Sequence, residues 1–387
     1  MKNLVKKLVV FLVFMVALAA AAQAIKPLHT LVSFNKTNGA FPYATLIKAS
    51  DGNFYGTTQA GGSTNCSGGC GTVFRVTPSG VLTSFPLNGS NGSDVTSGLL
   101  QGTDGNLYGT AVGGGVYGHG VVFKVTLSGV ITVVHSFNYS DGAGPEGTLI
   151  QATDVNFYGT TSYGGTSNAG TVFKLTPAGI LTTLHVFNFS PDGCCADSGL
   201  IQGADGNFYG NEFSGGIFDE GTTYQLTPAG VFTVLHQFQN TDGQNPYASL
   251  ILGSNGNFYG TTEEGGEYAY YGTVFEITPS GVLTSLHSFD ISDGDVVISP
   301  LVLASDGNFY GTTSYGGIHP SFGTIFKITP SGVFTTLYNF NGTEGAYAYG
   351  GLIQNSNQVF YGTTFDGGNG TACSGGCGTV YSFVPQN

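Results

Sequence analysis

Two phrases in this 387-residue chain put cysteines at a spacing that could do chemistry: CSGGCGTVF at Cys66 to Phe74 and CSGGCGTVY at Cys373 to Tyr381, 307 positions apart. A C-x-x-x-C step across a glycine-rich turn can bring two Cα atoms within ~6.8 Å, the reach of a disulfide. Four thiolates could instead hold zinc if the fold set the two phrases side by side. A third pair, Cys194-Cys195, is adjacent in sequence and would close a strained vicinal ring, with free or redox-active thiols as the alternative. Six cysteines form an even count, and in an exported chain that favours local disulfides: Cys66 with Cys70, Cys373 with Cys377, and Cys194 with Cys195. Two local staples are the simpler expectation for the repeated phrase.

Export itself is written at the N-terminus. Lys2, Lys6 and Lys7 precede an apolar run from Leu8 to Ala22 and the small-residue pattern Ala22-Gln23-Ala24, so residues 1–24 read as a secretory signal peptide and 25–387 as one mature domain. No later stretch approaches ~18 apolar residues, so no membrane span is expected after cleavage and the protein is expected outside the cell or in the periplasm. Cleavage removes three lysines and no acid, taking the net charge from −13 to −16. A surface this acidic argues against nucleic acid as a partner, since phosphate backbones are bound through clustered Lys and Arg.

Other residue types invite chemistry and lose it on inspection. His135, His185, His236 and His287 recur at one position of a repeated strand, and a shared metal would require them to converge. That strand is outermost in its sheet, three strand spacings of ~4.8 Å from the centre, so neighbouring copies cannot share bonds of ~2 Å; packing or rim positions are expected. DISDGDVV supplies Asp290, Asp293 and Asp295, but a calcium loop of the EF type needs a Glu twelfth, where Leu301 stands. Asp141, Asp192, Asp242, Asp293 and Glu344 occupy corresponding places, so turn geometry is the simpler cause. Gly113, Gly115 and Gly118 satisfy G-x-G-x-x-G without a helix to follow. No cofactor or metal is called for.

These residues hang on an internal repeat. A Tyr-Gly pair in DGNFYGTT or a close variant falls at Tyr55, Tyr108, Tyr158, Tyr209, Tyr259, Tyr310 and Tyr361, with spacings of 50 to 53. Each copy continues through GG, a GTVFKLT-like run, a TPSG-like turn, an ILTTLHSF-like run, a variable loop and a GLIQ-like run. That is four short strands per copy, joined by turns whose Gly and Pro favour tight reversals. Strands apolar on both faces, in units near 51 residues, predict an all-β fold: a seven-bladed β-propeller of four-stranded antiparallel blades. The last copy stops after its third strand and the chain begins with a fourth-strand sequence, Leu28 to Phe34. The N-terminal strand is therefore expected to complete the last blade.

The combination DGNxYGTT, GG, GTVFKxTPxG, LxxLHxF and DGxxPxAxLI resembles the Gloeo/Verruco (GloVer) tandem repeat of exported bacterial proteins, which often carry interchangeable C-terminal anchors. The resemblance covers nearly all of residues 26–385. It implies an exported propeller-like repeat protein and no established activity; without an anchor after Asn387, release or periplasmic residence is expected. The DGN-aromatic and ITPSG turns are also similar to those of the streptogramin lyase propellers, at the level of blade turns and with no matching catalytic pattern.

Comparing the copies separates constant turns from variable connections. Second-to-third-strand loops and blade-to-blade connections change in every copy and should emerge on one face, which is where binding is expected. That face offers Tyr117, Tyr163, Phe218, Asp219, Glu220, Glu263, Glu264, Glu267, Tyr268, Tyr270, Tyr271, Tyr315, His319, Tyr347 and Tyr349, besides His119. Rings that stack and carboxylates that accept hydrogen bonds suit a glycan, a peptide or a cell-surface polymer. A binding or interaction module is the reading these residues favour. The alternative is an extracellular carbohydrate-active hydrolase or lyase drawing a carboxylate pair from Glu263, Glu264, Glu267, Asp219 and Glu220.

Overall fold

The computed structural model describes residues 27–319, 321–355 and 358–386; the segment read as a signal peptide lies outside them. Each repeat forms one antiparallel four-stranded sheet, and seven such sheets are present with no helix among the described residues. Blade one runs through Ile47–Lys48, Phe54–Thr58, Thr72–Val76 and Leu82–Pro86. Its second strand is buried at every position and its third at all but Arg75, because a sheet sandwiched between two neighbours has no solvent face.

Blade seven closes the ring as expected. Ile353–Gln354, Phe360–Thr364 and Thr379–Phe383 are joined by the N-terminal strand Leu28–Ser33, which pairs Leu28 with Phe383 and Ser33 with Thr379. The same seam is sealed by packing. Tyr361 of blade seven stacks on Phe54 of blade one with centroids 4.1 Å apart, repeating the contacts Tyr108–Phe157 and Tyr158–Phe208 at 4.2 Å. Each such pair adds roughly 0.5–1.5 kcal/mol beyond its buried area.

The constant residues of the repeat hold this arrangement. In the DGN turn, Asp51 accepts hydrogen bonds from the Asn53 backbone and side chain and from the Tyr55 hydroxyl at 2.8–3.0 Å, fixing turn and tyrosine together. Gly56 follows because a Cβ there would lie 2.5 Å from the Phe74 ring. Gly80 ends the TPSG turn at φ +87°, where a side chain would also meet the Leu31 carbonyl.

A second set of repeated contacts sets the channel wall. The Thr57 hydroxyl donates to the Ser97 carbonyl at 2.8 Å, Thr160 to Ser198 at 2.8 Å and Thr363 to Ala44 at 3.1 Å. In each case the second strand of one blade grips the segment that leads into the next. Isolated antiparallel bridges, such as Ala143 with Tyr163 and Gln244 with Glu264, join the two variable connections of every copy, so both lie on one face.

Candidate functional site

The connection leaving each fourth strand crosses the variable face, descends at the central channel and enters the next blade through the GLIQ-like run. The residue at the turn of that descent is Tyr43, Thr96, Glu146, Asp197, Tyr247, Ile298 or Tyr349 in the seven copies. All seven line one small pocket of about 70 Å³ at the channel mouth, with Ala44, Thr45, Ser97, Gly98, Thr148, Ser198, Gly199, Ala248, Ser249 and Pro300 forming its lower wall.

The ring has two chemically different arcs. Thr96, Glu146 and Asp197 enter blades two, three and four in succession. Tyr247, Ile298, Tyr349 and Tyr43 enter blades five, six, seven and one. The Tyr43 hydroxyl donates to that of Tyr247 at 3.1 Å, although the two blades are as far apart as a seven-membered ring allows. Tyr43 also packs on Tyr349 with centroids 5.0 Å apart, and Tyr349 on Phe365 at 5.1 Å. The aromatic arc is therefore a continuous wall.

Electrostatics sharpen the other arc. Burial, followed by the charges of Asp197 and Asp94, pushes the Glu146 carboxyl up to about 8. Burial raises Asp197 to about 6, although the Ser162 hydroxyl donates to its Oδ1 at 2.5 Å and favours the ionised form. Glu263 rises to about 7 through burial, then through Glu264, Asp295 and Asp197. Burial also raises the Tyr43 hydroxyl to about 12, so it remains a donor.

The residues singled out on the variable face divide between mouth and rim. Tyr349 lines the pocket; Glu263 stands close enough to feel Asp197; Tyr347 and Tyr315 pack together at 4.9 Å beside Tyr349. Tyr163 borders the acid arc, where burial and Asp197 raise its hydroxyl. Tyr117, Phe218, Tyr268 and Tyr270 are exposed loop tips, as are Asp219, Glu267 and His319. Tyr271 packs into the core beside Phe289, Glu264 accepts from Gln244 at 2.8 Å, and one oxygen of Glu220 is buried without a partner. Glu146, Asp197, Tyr43 and Tyr247 were not singled out. Their signal was present: each stands at the variable second position of a repeated P-x-A-x-L-I-like run, just ahead of the first strand of its blade.

Two of the three expected disulfides form: Cys66–Cys70 and Cys373–Cys377, with Cα atoms 5.1 and 5.2 Å apart. The vicinal disulfide is corrected. Cys194 and Cys195 are thiols with sulfurs 2.9 Å apart, and Cys194 also contacts the Ser214 hydroxyl at 3.3 Å. The bridge to Ser214 holds Cys194 in extended backbone, whereas Cys195 turns into the left-handed region at φ +66°. The Cys195 hydrogen bond lowers the Cys194 thiol to about 7, while Cys195 is raised.

Histidines and acids that recur separately in sequence prove to be partners. His135, His185, His236 and His287 meet Asp141, Asp192, Asp242 and Asp293 at 2.9–3.2 Å, and Tyr338 meets Glu344 in the same way. They brace the outer strand against the next connection. Among the described residues no three His, Cys, Asp or Glu side chains converge in ligating geometry.

Glu212 is a different kind of exception. It is fully buried at the end of the second strand of blade four, and neither carboxyl oxygen has a partner. Burial, then Cys194, Asp197 and Asp192, hold its pKa well above the usual carboxylate range.

The chain belongs to the family described as the Gloeobacter/Verrucomicrobia repeat, whose model matches residues 21–203, 63–251 and 191–381. A comparison with curated proteins found no match. Among solved structures, the chain is similar to the extracellular domain of a proposed hybrid two component system from B. thetaiotaomicron, at 14% identity and TM-score 0.59, covering 93% of this chain and 41% of that one. It is also similar to PorZ, a surface component of the type-IX secretion system of Porphyromonas gingivalis, at 13% identity and TM-score 0.57, covering 91% and 47%. A third is a proposed 6-phosphogluconolactonase from Bacteroides uniformis, at 16% identity and TM-score 0.51, covering 76% and 84%. At these identities the likeness is one of fold. The chain spans less than half the length of the first two.

Proposed function

We propose that this protein is an exported binding module that recognises a glycan or cell-surface polymer on its variable face, with the channel mouth as the central subsite. The observation that carries this reading is the two-arc pocket, a wall of tyrosine rings facing a row of oxygen acceptors. Tyrosine faces suit the apolar faces of pyranose rings, and carboxylates and a threonine hydroxyl suit their hydroxyl groups. Extracellular and surface-located structural neighbours are in keeping with it. Glycan-array binding by the mature chain tests it: saturable binding lost in Tyr349→Ala and Tyr43→Ala supports the module, and binding indifferent to both changes removes the mouth from the reading.

A second reading, an extracellular carbohydrate-active hydrolase or lyase, is favoured by one observation. Glu146 and Asp197 line a single pocket, and burial raises both carboxyls, the setting in which a pair of acids shares a proton. Product formation from any glycan that binds, abolished in Asp197→Asn, would establish it over the module.

A further inference from the structure

Resting on the binding-module reading, we infer that the channel mouth selects a primary ammonium group, and that its ligand is a glycan bearing free amino sugars.

Four observations converge on this. Glu146 lines the pocket with no hydrogen-bond or ion-pair partner among the described residues. No lysine, arginine or histidine contributes to the lining. Arg75, Lys124, Lys174 and Lys327 all stand at one third-strand position, where Lys174 pairs instead with Asp154 of the DGN turn at 2.8 Å. The acid arc thus lacks an internal counter-ion. Thr96 adds a buried hydroxyl oxygen, also without a partner, on the same arc. Facing these groups are the rings of Tyr43, Tyr247 and Tyr349.

An ammonium has three N–H donors and one positive charge. Thr96, Glu146 and Asp197 present three successive acceptors, and tyrosine rings attract a cation through their electron-rich faces. A neutral hydroxyl can use the same acceptors, but it leaves the desolvated carboxylates without compensation. An anion is repelled outright. The sugar is preferred to a peptide amine as the carrier because the mouth continues into an aromatic cluster, Tyr349 tilted against Phe365 and Phe365 stacked on Phe41 at 4.8 Å, which suits successive pyranose units.

The test is calorimetric titration of the full mature chain with glucosamine hexamer, N-acetylglucosamine hexamer, cellohexaose and a lysine hexapeptide at pH 6.5. A charge-assisted hydrogen bond contributes about 1.5–3 kcal/mol, so the glucosamine hexamer is expected to bind at least about tenfold more tightly than its acetylated form. That ratio should fall to near one in Glu146→Gln/Asp197→Asn. Removing buried carboxyls should not impair folding, and thermal unfolding of the variant provides the check; Thr96→Val, which keeps the shape, should reduce the ratio severalfold on its own. Equal affinity for amino and acetylated hexamers, or a preference that survives in the double variant, overturns the inference and leaves the module standing. Lysine hexapeptide binding in place of glucosamine hexamer overturns the choice of sugar. No binding by any of the oligosaccharides removes both readings.

Discussion

Replacing Glu212 with threonine should make this protein more stable, and more so in alkali than in acid. The reasoning starts from neighbouring copies. Where blade four has Glu212, five others have Thr58, Thr161, Thr262, Thr313 and Thr364. All five show the arrangement: Thr161 pairs with Thr171 at 3.0 Å and donates to the Tyr163 carbonyl at 3.0 Å, and Thr58, Thr262, Thr313 and Thr364 do likewise within 2.7–3.0 Å. Thr222 and the Ser214 carbonyl stand in the corresponding places around Glu212. Removing a buried unsatisfied carboxyl recovers about 1–3 kcal/mol, and the new hydroxyl contacts add about 1 kcal/mol. Two lost heavy atoms leave roughly 40 Å³, costing about 1 kcal/mol. The net gain is about 2 kcal/mol in acid, where folded and unfolded chains both hold the proton, which for roughly 360 residues at about 2.1 cal/mol/K each raises Tm by about 2–3 °C, and proton linkage adds to it as pH rises.

The pH dependence has a definite sign. Folded Glu212 has its pKa raised, so its folded form holds a proton that the unfolded chain gives up above about 4.3. Its contribution is fully present below that pH and is lost as pH rises, at about 1.4 kcal/mol per pH unit while the folded form stays protonated. Urea unfolding of the wild type and Glu212→Thr at pH 5 and pH 8 checks this: the gap between them should widen toward pH 8. A variant that is less stable at pH 8, or a gap that does not change with pH, would refute the assignment of Glu212 as a protonated, unpaired acid.

Three other outcomes are expected. Unfolding without reductant should expose two thiols per chain to a thiol-titrating dye, since Cys194 and Cys195 are unbonded; a count of zero restores the vicinal disulfide. Cys66→Ser/Cys70→Ser opens a loop of sequence separation 4 and should cost about 2 kcal/mol by the chain-entropy relation, read from the urea midpoint. Deleting residues 28–34 strips Thr379–Phe383 of its pairing partner, so soluble protein with one cooperative transition should be lost; its survival would contradict closure by the N-terminal strand.

Much of the architecture was legible because the repeat writes it seven times. Asp51, Gly52, Asn53 and Tyr55 state a turn and its hydrogen bonds locally, within a few residues, and short-range chemistry can be read from a string. Ring closure was legible too, because Leu28 to Phe34 is a fourth-strand phrase without the three strands that should precede it. Exposed rim residues such as Tyr117 and Tyr270 stood out because variable loops are rich in aromatics, yet prominence in a loop says nothing about convergence.

Sequence alone determined the number of blades, their strand order and the face that varies, since these follow from local periodicity and turn residues. Tertiary structure alone decided the site. Thr96, Glu146 and Asp197 are each about fifty residues apart, and Tyr43 is 204 residues from the Tyr247 hydroxyl it bonds; only a closed ring makes them neighbours. The raised pKa values of Glu146 and Asp197 belong to that same closure, because they arise from burial at the channel mouth and, for Glu146, from the nearby Asp197, which no single copy of the repeat possesses.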